Sequence, residues 1–156
     1  MGKTLKTESK YHSWHNILQG ALYFMAFLTF GLGDAITCSW LIEQRGIEYE
    51  ANSIVRFIIY NYSLSSYIEL KIIFTLALLS ISFLIQRSSY ESVYWIINAF
   101  LASLIIGGTL AIILNIQVTA YETPFLTPEQ VVFIFIISLF ILTRIGEEID
   151  ERQIQN

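Results

Sequence analysis

The sequence predicts an all-α integral membrane protein, with four transmembrane helices and a short re-entrant or interfacial helix after the first. Three observations carry that prediction. Hydrophobic residues make up 54% of the 156-residue chain, charged residues only 14%, and the mean hydropathy is +0.57; soluble domains run to about 25% charged residues. Long apolar stretches recur with short polar breaks between them, which favours antiparallel neighbours. Charge inside those stretches is sparse: Asp34 is the only charged residue between Lys10 and Glu43. A carboxylate near the middle of a membrane helix costs about 2.5–3.5 kcal/mol on insertion scales, so it faces a partner or a water-filled cavity.

Residues 1–16 are polar and include Lys3, Lys6, Lys10, His12 and His15. They read as a cytoplasmic tail, with the two histidines as interfacial side chains. A positive start before an apolar run also describes a signal peptide. The run from Ile17 to Ile42 is too long for a signal core of about 7–15 residues, and no small-residue cleavage pattern follows it. It reads as a retained first span. Gly46 is the expected helix stop. Ser53 to Tyr60 is apolar and spans roughly 12 Å as a helix, too short to cross a bilayer. Asn52 or Ser53 is placed to cap it, and Tyr60, Tyr62 and Tyr67 to anchor it at the interface. Tyr67 to Gln86, Val93 to Val118 and Gln130 to Ile145 are the remaining spans. Pro128 sits in the first turn of the fourth, where proline is tolerated. One membrane domain over 17–146 and a charged cytoplasmic tail over 147–156 complete the organisation.

Composition also sets limits on function. A net charge of −4 and the lack of a basic run argue against nucleic acid and against a lipid-headgroup patch. Cys38, the lone cysteine, reads as a small packing residue. No His or Cys cluster lies in the spans, no glycine-rich phosphate loop, and no nucleophile paired with a base. The sequence indicates no metal site and identifies no cofactor.

Lysine and arginine give the orientation. Lys3, Lys6, Lys10, Arg87, Arg144 and Arg152 fall on one side, Arg45 and Arg56 on the other. Six against two puts both termini in the cytoplasm of a multi-pass protein of the cell membrane. Asp34, Glu50, Asn52, Lys71 and Asn115 then fall at similar depth near the outer leaflet. Their convergence requires four spans and not a particular sign of the topology.

Helical spacing aligns these residues into faces. Gly31, Asp34 and Thr37 share one on the first span; Lys71, Thr75, Leu78 and Ser82 share one on the second. Ser103, Gly107, Ala111 and Asn115 form a small-residue stripe on the third that admits a neighbouring backbone. The three faces are expected to meet, with Asp34 and Lys71 compensating each other. The cluster is open to several readings: a polar network that sets helix register, a pocket for a small polar ligand, ion or headgroup, an enzyme using two carboxylates, or a conducting path.

Asp34-x-x-Thr37, the box Gly46-Ile47-Glu48-Tyr49-Glu50-Ala51-Asn52, Lys71 opening one span and Asn115 closing another resemble a prokaryotic family of small polytopic membrane proteins known as a domain of unknown function. Its pattern is an Asp and a Thr in the first helix, a Glu-Ala-Asn-Pro box, a Lys and a late Asn. The resemblance runs from about Gly31 to Asn115, with Ser53 in the place of the proline, and it implies no established activity.

The reading that follows is a small non-enzymatic polytopic membrane protein. Its outer-leaflet polar pocket, formed by Asp34, Thr37, Glu50, Asn52, Lys71 and Asn115, binds a small ligand or docks a partner subunit. Its partners are the lipid bilayer and either a homo-oligomer or a larger membrane complex. The alternatives are a membrane-embedded enzyme acting on a lipid or headgroup, and a minor transporter; a second polar layer around Asn98 and Ser82 would favour the transporter.

Overall fold

The computed structural model describes the backbone of residues 4–121 and 124–155, with side chains described over 15–89, 93–121 and 124–155. It is helical throughout, without strands among the described residues. Helix α1 (Thr4–Ala26) runs through a π-helical segment (Phe27–Gly33) into α2 (Asp34–Arg45) as one continuous rod. The short helix α3 spans Ser53–Asn61, followed by α4 (Leu64–Ser88), α5 (Tyr90–Ala120) and α6 (Pro128–Gln155). Three stretches are long and apolar enough to cross a membrane: His15–Arg45, Leu64–Ser88 and Val93–Ala120. Lys3 lies outside the described residues. Those of Lys6, Lys10 and His12 that are described are backbone only, and they belong to α1.

The expected breaks form where local chemistry demands them. Gly46 ends α2 at φ 103°, a conformation open to glycine and costly for other residues. Asn52, not Ser53, caps α3: its Oδ1 accepts the Ile54 N–H at 2.9 Å. Tyr60 and Tyr62 are exposed, whereas Tyr67 is buried, because it opens α4 on the face turned toward α2. The break between α4 and α5 shrinks to Ser89.

The four rods alternate in direction. His15 stacks on Tyr94 at 4.9 Å and Asp34 meets Asn115, so α1–α2 and α5 run parallel. Tyr23 meets Gln86 and Asp34 meets Lys71, so α4 runs against them. Gly107 lies under Phe135 and Gly146 against Trp95, so α6 runs against α5. Helix α5 touches every other long helix, whereas α6 packs chiefly on α5. Ala26, Leu79, Ile97, Leu101 and Leu104 form the buried centre.

In lipid, apolar burial does little to bring helices together; close backbone approach and polar contacts do more. The closest approach is at Gly108, where a Cβ would lie 2.6 Å from Phe30 Cα. Gly107, in the small-residue stripe, does not make this contact. That residue instead faces the Phe135 ring of α6, at 2.5 Å from where its Cβ would be. One residue along an α-helix turns the face by about 100°, so neighbouring glycines serve different partners.

The charged run from Glu147 continues α6. Asp150 is fully buried, accepting the N–H groups of Trp95 at 3.0 Å and Ile96 at 2.9 Å. It ties the end of α6 to the start of α5.

Candidate functional site

Asp34 stands at the point where the π-helical segment returns to α-helix, its N–H bonded to the carbonyls of Thr29 and Gly31. Local widening of this kind recurs where a helix must aim a side chain. Both carboxylate oxygens are engaged. Oδ2 pairs with Lys71 Nζ of α4 at 2.8 Å, and Oδ1 accepts from Asn115 Nδ2 of α5 at 3.2 Å. The same amide donates to Thr37 Oγ1 at 3.2 Å, and Lys71 also rests 4.3 Å from the centre of the Phe30 ring. One turn before the ion pair, Gly31 lets Thr75 close in, to 3.0 Å from where a Cβ would be. Four of the six residues singled out by the sequence thus form one network across three helices.

Glu50 and Asn52 form a second branch. Glu50 Oε1 accepts the Asn52 N–H at 2.7 Å, and Oε2 accepts the Cys38 thiol at 3.0 Å. Cys38 lies one turn beyond Asp34 on α2, and Tyr67 lies one turn before Lys71 on α4; both are buried and line the same cavity as Glu50. Cys38 joins Glu50 to α2 and Tyr67 adds an aromatic wall beside it, and sequence reasoning gave neither that role. The signal was their spacing of four from Asp34 and Lys71, which puts them on the faces already assigned.

The two branches form the polar end of a cavity of about 730 Å³. Asp34, Glu50, Asn52, Lys71 and Asn115 line it, while Thr37 does not and acts behind Asn115. Leu114 and Val118 of α5 and Val131, Phe135 and Ile136 of α6 supply the apolar wall. The cavity exists because α6 leans on α5 and leaves a wedge beside α2, α3 and α4. Two side-chain atoms of residues lining it have no partner among the described residues: Asn115 Oδ1 and Asn52 Nδ2. No group of three His, Cys, Asp or Glu side chains among the described residues converges as a metal site would require.

A second polar layer lies at the other end of the bundle. Gln86 of α4 is buried, and its Oε1 accepts from Gln19 and, at 3.1 Å, from Tyr23. Ser82 bonds back to Leu78. Asn98 is 4% exposed with neither amide atom partnered.

Residues 25–121 match the family described as Domain of unknown function (DUF5658). The chain belongs to that family. No curated protein and no solved structure matched. The region matched in this DUF5658 member holds all six of the sequence-selected residues, together with Cys38 and Tyr67. The α6 wall of the cavity lies outside it.

Proposed function

We propose that this chain is a four-span membrane protein whose cavity binds a small amphiphile, with the head at the Asp34–Lys71–Asn115 and Glu50 groups and the apolar part along α5 and α6. The observation that carries this reading is the cavity itself, with charged and amide groups at one end and an aliphatic and aromatic wall at the other. Its volume lies within the roughly 300–1,000 Å³ of small-molecule sites. A concave space of this size suits a ligand better than the face of a partner subunit. Helix α6 is the fourth span, supported by the uncharged stretch from Gln130 to Thr143. Helix α3 is interfacial, supported by the outward Ile54, Phe57 and Tyr60. Lysine and arginine counts support a cytoplasmic location for both termini, with the cavity toward the outer leaflet.

The test is native mass spectrometry of delipidated protein in an amphipol belt, titrated with dodecyl-chain amphiphiles. One equivalent should bind saturably, and Ala111→Trp, which fills the cavity, should abolish binding while helicity and melting temperature hold. Uniform weak adduction unaffected by Ala111→Trp would reject the reading. A second reading, a minor transporter, is favoured by the inner polar layer at Gln86, Ser82 and Asn98. It requires that substitution of Asn98 alter ion or proton flux in vesicles.

A further inference from the structure

The cavity's charges do not balance, and the imbalance specifies a head group. Of the residues lining it, Asp34, Glu50 and Glu129 are acidic and Lys71 alone is basic. Lys71 is already committed, with Asp34 at 2.8 Å and the Phe30 ring at 4.3 Å. Among the described residues Glu50 has no cationic partner; its two oxygens meet a thiol and a backbone N–H, both neutral donors. In the same cavity Asn115 is buried to nine-tenths, and its side-chain Oδ1 accepts from no group among the described residues. A carboxylate and a carbonyl that both lack a strong donor, lining one cavity, call for a ligand that donates and carries positive charge. Tyr49 and Tyr67 line the same end, and aromatic faces next to a carboxylate are a recurrent setting for an ammonium group. An anionic head would face two uncompensated carboxylates with the only lysine already paired.

We infer that the ligand is an amphiphile with an ammonium head, seated between Glu50, Asn115 Oδ1 and the two tyrosines, with its chain along α5 and α6. This rests on the amphiphile reading above and adds the charge of the head. The structure supports an alkyl-borne ammonium over a free amine because most of the lining is apolar, from Leu41 and Val55 through Val131 and Ile136.

The experiment compares four probes on the wild-type protein in amphipol: dodecylammonium, dodecanol, dodecyl phosphate and ethylammonium. Dodecylammonium should bind at least 10-fold more tightly than dodecanol, with dodecyl phosphate weakest and ethylammonium undetected at the same concentration. Glu50→Gln should remove the preference of ammonium over alcohol and leave dodecanol binding in place. The wild-type ranking decides the matter even if Glu50→Gln fails to fold. Equal binding of dodecanol and dodecylammonium would overturn the ammonium assignment while leaving the amphiphile cavity standing. Preference for the phosphate would overturn it likewise. Ethylammonium binding as tightly as dodecylammonium would overturn the chain-borne part and assign the site to a free amine. Failure of all four would overturn the cavity reading as well.

Discussion

The Asp34–Lys71 pair can be weighed by removing its partners singly and together. Asp34→Asn takes the charge from a carboxylate that accepts two hydrogen bonds, one from Lys71 at 2.8 Å and one from Asn115 at 3.2 Å. The introduced amide has one acceptor oxygen, so it can serve only one of those donors; the other then faces an N–H. Breaking a buried ion pair by removing one partner costs about 3–5 kcal/mol. Both side chains keep some access to solvent, Lys71 at 19% and Asp34 at 16%, which places the loss near the lower end, about 3 kcal/mol. Lys71→Met leaves Asp34 charged with Asn115 as its remaining donor, and costs about 2–3 kcal/mol on the same grounds. With both changes, the introduced amide pairs with Asn115 and a thioether lies against Phe30 in place of the ammonium. The double variant should therefore lose well under the sum, with a coupling of at least about 1.5 kcal/mol. That exceeds the average of about 0.6 kcal/mol for interhelical polar contacts in membranes. The assay is reversible unfolding in mixed micelles of rising dodecyl sulfate fraction, followed by far-ultraviolet circular dichroism. Losses that add to within about 0.5 kcal/mol would refute the reasoning.

Gly108→Ala should lower the melting temperature sharply, since its Cβ would meet the backbone of Phe30. Gly20→Ala, with nothing within 4 Å, should raise it, by about 1 kcal/mol of helix propensity; equal effects would rule out the close helix contact. Asp150→Ala should cost about 2–3 kcal/mol by stranding the Trp95 and Ile96 amides, and proteolysis should then release the end of α6; an uncut chain of unchanged stability would show that Asp150 does not pin it. For orientation, a cysteine at Phe125 should react with an impermeant thiol reagent in intact cells and one at Ile154 should not, both sites being exposed and Cys38 buried. The reverse pattern would invert the topology.

Much of this protein follows from local sequence. The apolar runs set the three long stretches suited to a membrane, Gly46 and Asn52 set the break and the cap around α3, and helical spacing put Asp34, Lys71 and Asn115 on faces able to meet. Those features are legible because they depend on period, length and cap chemistry, each confined to a few neighbouring residues. Tertiary structure decided the remainder. Cys38 and Tyr67 are ordinary apolar or interfacial residues by type, and they enter the site only because α2 and α4 cross one turn from the ion pair. Gly107 and Gly108 look interchangeable in the sequence, yet one faces a ring of α6 and the other the backbone of the first rod. Asp150, in a run that reads as a charged cytoplasmic tail, is buried because α6 continues far enough to reach amides of α5. The cavity, too, is a property of helix packing: α6 rests on α5 and stands off from α2 and α4. Which side chains share a space depends on how rigid rods pack, and residues distant in the chain carry no local mark of that.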